Sequence, residues 1–279
     1  MDKPVGWTSH DVVAVVRRAL GTRSVGHAGT LDPFATGLLV VLVGRATRLA
    51  RFIEGAAKQY DATIRLGTAT DTEDATGTVT RELTPEVWPD EATIAGALGG
   101  LVGTQWQVPP AYSAKHVDGT RSYALARAGR AVELPPVEVT VHALELLEWS
   151  PPDATVSARV GRGTYLRAIA RDLGERLSLP AHCAGLRRTA IGPFRVDDAI
   201  APGAVSAASV LSPAAMVCHL TRDVVSVDAA RELGFGRSVP QSAAADGTGA
   251  LLAEDGRLLA VAEGREGRWH PVVVLEPST

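Results

Sequence analysis

Cysteine is nearly absent from this chain: Cys183 and Cys218 are the only two in 279 residues, too few and too far apart for a thiolate metal site or a disulfide framework. Such usage suits a reducing, cytoplasmic setting. Aromatic residues make up only 5% while hydrophobic residues reach 46%, so the core has to be built mainly from aliphatic side chains. No run approaches the ~18 consecutive apolar residues of a membrane span. The opening Met1-Asp2-Lys3-Pro4-Val5-Gly6 lacks the apolar stretch of a secretory signal. Membrane insertion and secretion are therefore not expected, and the length suggests roughly two domains.

What is present is unevenly placed charge. The net value is −3, yet Arg159 to Arg195 holds eight arginines against two acids, and Arg17 to Arg65 holds eight basic residues against three acids. Between Asp71 and Glu91 seven acids face a single arginine, Arg81. Two basic segments in an acidic chain can fold into one surface for a polyanion, or can be two solvated helix faces.

Thr8 and Asp11 have the spacing of a capping box ahead of Val12, Val16 and Leu20, so a helix is expected from about residue 9 to Gly21. Leu38 to Val43 reads as one buried strand. Leu49, Phe52 and Ile53 line one face of a following helix, with Arg45, Arg48 and Arg51 opposite. Tyr60 to Leu66 alternates as a half-buried strand does. Residues 68–90 read as a long polar connection, 92–101 as a helix, and 137–147 and 155–160 as strands. Leu166, Ile169, Ala170, Leu173 and Leu177 form a helical stripe with Arg167 and Arg171 on the other face. A short helix is expected over 206–216. Beyond Arg222 brief strands at 226–227, 249–253, 258–262 and 272–275, with a short helix or turn at 231–236, suggest a separate small β-domain.

The most specific stretch is Gly26-His27-Ala28-Gly29-Thr30-Leu31-Asp32-Pro33-Phe34-Ala35-Thr36-Gly37. Its glycines permit tight turns and close approach to the main chain, and Pro33 drives Asp32 out of the helical region. This is a way to present a reactive carboxylate; taken alone, an Asp-Pro pair is also an ordinary turn. Asp2-Lys3-Pro4 with Gly6, Lys58-x-Tyr60 leading into Leu66-Gly67, Gly163-Thr164-Tyr165-Leu166-Arg167 and Leu186-Arg187-Arg188 accompany it. Together, in this order, these segments resemble the motifs of the TruB-type tRNA pseudouridine synthases over about residues 1–220, and more weakly at the C-terminus.

That resemblance implies an α+β fold: a pseudouridine-synthase catalytic domain on a mixed β-sheet over 1–220, then a small PUA-like β-domain over 222–279. It implies isomerisation of a uridine at position 55, in the T-loop of tRNA, by base flipping and by cleavage and re-formation of the glycosidic bond. No electrons change hands and no water is consumed, so neither cofactor nor metal is expected. By the same resemblance Asp32, Tyr60 and Arg167 are catalytic, with Arg167 expected to keep Asp32 ionised by lowering its pKa. His27, Tyr60, Tyr165 and Leu186 are implied to bind the substrate. The basic excursion at 112–136, carrying Arg127 and Arg130, resembles the family's RNA-gripping insertion, and arginines 159, 162, 171, 187 and 188 are expected to touch phosphates. Members of this family carry several residues, including part of a strand, ahead of the Asp-Lys-Pro motif, so the resemblance implies either a start further upstream or a missing edge strand. From Arg222 onward six arginines meet nine acids, which favours a structural or weakly guiding role there. The expected partner is the tRNA T-arm, with no membrane, no protein partner and a monomeric state. Two other readings are a tRNA-folding chaperone that binds the T-arm with little or no catalysis, and a carboxylate glycosidase acting on nucleosides, which would leave the arginine-rich segments idle.

Overall fold

A computed structural model describes residues 1–112, 116–117, 120–121, 134–242 and 245–276. Most of the expected insertion at 112–136, Arg127 and Arg130 included, lies outside the described residues.

The first helix, Ser9–Ala19, starts where its capping residues dictate. The Asp11 amide donates to Thr8 Oγ1 at 3.1 Å while the Asp11 carboxylate accepts the Thr8 amide at 2.8 Å. Val12, Val13 and Val16 are buried. Lys58–Leu66 alternates as read, with Tyr60, Ala62, Ile64 and Leu66 inward and Asp61 and Arg65 outward.

This strand lies near the middle of a mixed sheet. The order across it is Asp2–Lys3, Thr36–Leu38, Ala181–Ile191, Lys58–Leu66, Asp153–Val160, Val137–Ser150 and Gly103–Gln107, with Phe194–Arg195 pairing off the path. Only Thr36–Leu38 against Ala181–Ile191 is parallel; the other neighbours are antiparallel. The helices Glu91–Gly99 and Leu166–Arg176 contribute Ile94, Leu98, Leu166, Ile169 and Leu173 to one aliphatic core with the inward side of the sheet. The N-terminal edge strand is two residues long.

Four expectations need correction, and one strand is added to them. The run at 38–43 is two short strands: Thr36–Leu38 joins the main sheet, whereas Val41–Val43 pairs with Val25–His27. Residues 68–90 contain a hairpin, Thr68–Thr70 with Val79–Glu82. Gly103–Gln107 is an additional strand. The segment at 206–216 forms 3-10 turns at Ala207–Ser209 and Pro213–Val217. Ser226-Val227 is no strand, because Ser226 caps the helix Val227–Gly234.

A second sheet begins at Thr221–Val224 and runs next to Gly247–Leu252, Leu258–Arg265, Arg268–Val274 and Val239–Pro240. It has its own core around Leu233, Leu251, Leu259 and Trp269. A second cluster joins Leu252, Leu258, Val261 and Leu275 to Leu49, Ile53, Ile191 and Met216 of the first unit. Arg45 and Arg48 reinforce that seam by donating to the carbonyls of Leu275 at 2.9 Å and Val274 at 2.7 Å.

Candidate active site

Asp32 is held from both sides in sequence. The Leu31 amide donates to the buried Ser9 hydroxyl at 2.9 Å, which ties the loop to the first turn of the first helix. The Pro33 carbonyl accepts the Gly6 amide at 2.8 Å and the Lys3 ammonium at 3.4 Å. Lys3 is buried and also donates to the carbonyls of Pro4 and Trp7. Burial pushes its pKa down to about 8. Such fixing of the flanking backbone is what a preorganised side chain requires.

The Asp32 carboxylate pairs with Arg167 Nη2 at 3.0 Å. Arg167, on the helix face opposite the apolar stripe, is only 3% exposed. Its Nη1 donates to the Thr72 carbonyl at 2.9 Å and its Nη2 to the Tyr112 carbonyl at 2.8 Å. A second carboxylate, Asp74, lies 3.6 Å from Nη1. Asp74 is buried and is held by the Thr72 and Thr76 hydroxyls and the Thr76 amide. The arginine is thus fixed between two carboxylates by the hairpin turn that sequence reading passed over as a connection.

The expected sign of the Asp32 shift is also corrected. Burial raises its pKa, Arg167 pulls it down, Asp74 pushes it up again, and the net direction is above the ordinary carboxylate value. Its side chain nevertheless keeps 37% exposure, so one side faces open space.

That space is a pocket of about 230 Å³. Tyr60, Tyr165, Leu166 and Leu186 supply its larger walls, and Asp32, Arg167, Lys58 and Arg188 its charges. Tyr165 is set by Gln107, which is buried: its Oε1 accepts the Tyr165 amide at 2.9 Å and its Nε2 donates to the Tyr165 carbonyl at 3.3 Å. Gln107 and Asp74 were not singled out in the sequence. No residue-type signal marks them, since each acts by reaching across from a different element. His27 is not among the lining residues; its ring stands edge-on to His10 with centroids 6.3 Å apart.

The expected phosphate-contacting arginines divide. Arg188 is buried and donates to the carbonyls of Leu38, Thr30 and Gly29. Arg187 pairs with Asp2, and Arg171 with Glu73 and Asp172. These three are engaged by the protein itself, whereas Arg159 and Arg162 are exposed. A larger cavity in the C-terminal unit, about 510 Å³, has Arg257 already paired with Asp255 and Glu276. No helix among the described residues is long and apolar enough to cross a membrane.

Known proteins share this architecture. It superposes on Cbf5 in the crystal structure of a Cbf5-Nop10-Gar1 complex with a TM-score of 0.71 at 25% identity, covering 94% of this chain and 76% of that one. On the archaeal box H/ACA sRNP Nop10-Cbf5 complex the TM-score is 0.72 at 22% identity, with 99% and 85% covered, a likeness of fold. The class is therefore an α+β catalytic domain of the pseudouridine-synthase type followed by a small β-domain. Residues 17–166 match the N-terminal domain of the TruB family pseudouridylate synthases, and 221–276 match the C-terminal domain of tRNA pseudouridine synthase II. The tRNA pseudouridine synthase B of Thermobifida fusca is 46% identical over 100% of this chain and 98% of its own. That of Mycolicibacterium paratuberculosis is 44% identical over 100% and 97%. The chain belongs to the TruB family.

Proposed function

We propose that this protein isomerises the uridine at position 55, in the T-loop of tRNA, to pseudouridine, without a cofactor. The observation that carries the reading is one carboxylate, Asp32, fixed by a buried arginine and opening into a pocket with two tyrosines in its wall. The everted uridine enters this pocket, with Tyr60 against the base and Tyr165 and Leu186 excluding water, which suppresses hydrolysis of a glycosyl intermediate. Asp32 acts at the sugar, as nucleophile or as base. The N1–C1′ bond breaks, the base turns, C5 bonds to C1′ and displaces the Asp32 carboxylate where that has attacked, the proton on C5 passes to Tyr60 or to solvent, and N1 takes up a proton from solvent. A carboxylate whose pKa lies above the ordinary range is also the more basic one, so burial and the Asp74 charge favour its reactivity while Arg167 keeps it in place. His27 holds the rearranged RNA loop outside the pocket.

Residues 1–220 are then the catalytic unit, 112–136 the RNA-gripping insertion and 222–279 an accessory domain whose charge favours a structural role. The protein works as a monomer, in the cytoplasm where its substrate is. The folding-chaperone reading leaves the Asp32–Arg167–Asp74 arrangement without use. Asp32→Asn is expected to retain tRNA binding while lowering pseudouridine formation more than about a thousandfold, measured by nucleoside analysis of a T-arm stem-loop. Turnover near wild type would remove Asp32 from the reaction.

A further inference from the structure

The pocket carries charges of both signs. Arg167 lies between two carboxylates, Asp32 and Asp74. Lys58 and Arg188 also line the wall, and Arg162 is near enough for its charge to act on Lys58; the opposing carboxylate is Glu54. Gly29 lets them converge: with φ at +94° and no side chain, even an added Cβ would lie only 3.6 Å from Arg188 Nη1 and 3.7 Å from Lys58 Cε.

The two lining cations are not equivalent. Arg188 is committed to three backbone carbonyls and acts as a fixed charge. Lys58 donates to the carbonyls of Glu54 at 3.1 Å and Ala56 at 3.2 Å, leaving one of its three N–H groups uncommitted. No carboxylate among the described residues forms an ion pair with it. A half-buried ammonium, tethered by two carbonyls and short of an anion, needs an anionic partner from outside the chain.

The reading under "Proposed function", on which this rests, supplies one. A uridine in RNA brings phosphodiesters on either side of its ribose, and seating that ribose at Asp32 sets negative charge beside a carboxylate. We propose that Lys58 is the phosphate-holding residue of this pocket, its ammonium engaging a phosphodiester that adjoins the everted uridine, with Arg188 and Arg162 supplying background positive charge. Lys58 thereby offsets the repulsion from Asp32 and fixes the sugar for attack.

The test uses the full-length protein and a T-arm stem-loop carrying a single uncharged methylphosphonate linkage on the 5′ or the 3′ side of the target uridine. On unmodified RNA, Lys58→Met lowers kcat/KM by about ten- to a hundredfold, the range of a lost charge-assisted hydrogen bond, and Lys58→Arg recovers part of the loss. The neutral linkage on one side costs the wild-type protein a similar factor and costs Lys58→Met nothing more. A merely structural lysine would not give that non-additivity, and the wild-type arm needs no variant to fold. A neutral linkage that slows both proteins equally, or slows neither on either side, overturns the assignment. Absence of pseudouridine from unmodified RNA with the wild-type protein instead overturns the parent reading.

Discussion

Burial raises the pKa of two acids in the first unit, Asp32 and Cys183, with different consequences. Asp32 is pushed above the ordinary carboxylate value by burial and by Asp74, against the pull of Arg167. The acid limb of kcat/KM, which reports the free enzyme's essential base, is expected to have its midpoint above the ~3.9 of an unperturbed aspartate. Replacing Asp74 by Asn moves that midpoint down, which a pH–rate series on the stem-loop checks. Cys183 is a case of stability alone. Burial pushes its thiol up to about 12, whereas in the unfolded chain it ionises near ~8.5. Between those values the unfolded state binds fewer protons, so stability is lost as pH rises, by up to ~1.4 kcal/mol per pH unit. Urea midpoints between pH 9 and 11 should fall more steeply for the wild type than for Cys183→Ala; parallel curves would refute the assignment.

Periodic elements were readable and aperiodic ones were not. The capped helix Ser9–Ala19 and the alternating strand Lys58–Leu66 follow from local spacing. The strand Ala181–Ile191 does not stand out, although it pairs with Lys58–Leu66 across the middle of the sheet: bulges at Cys183/Gly185 and Arg188/Ala190 break its alternation, and it places Arg188 inside. The run at 38–43 was misread because hydrophobicity cannot show a change of sheet. The ladder with the N-terminal edge strand runs on through Leu39, whose amide donates to the Met1 carbonyl, and the chain changes sheet only after that, where Val41 pairs with His27. Gly37 makes this route possible. It has φ +98° and lies against the Arg188 main chain, where an added Cβ would meet the carbonyl oxygen and sit 2.8 Å from the nitrogen. Gly37→Ala is expected to cost more than about 3 kcal/mol through strain and clash, readable as a lowered denaturation midpoint. In the site, Asp32, Tyr60, Tyr165, Arg167 and Leu186 stood out by motif and do converge, while Asp74 and Gln107 depend on tertiary approach.

For the whole molecule, charge counting found the basic segments but could not say what each arginine faces. Arg45 and Arg48 are exposed cations, as read, and they also donate to main-chain carbonyls of the C-terminal unit. Their joint replacement by alanine is expected to weaken that seam by about 1–3 kcal/mol, seen as faster proteolysis within Arg268–Val274, with the salt slope of tRNA binding unchanged. The seam also bears on how the two units can be studied. Cutting the chain near residue 220 would lay bare Leu49, Ile53, Ile191 and Met216 and strand two guanidinium groups. A truncated fragment would then lose RNA affinity through clumping in the tube, and that loss would be misattributed to a recognition surface on the piece removed.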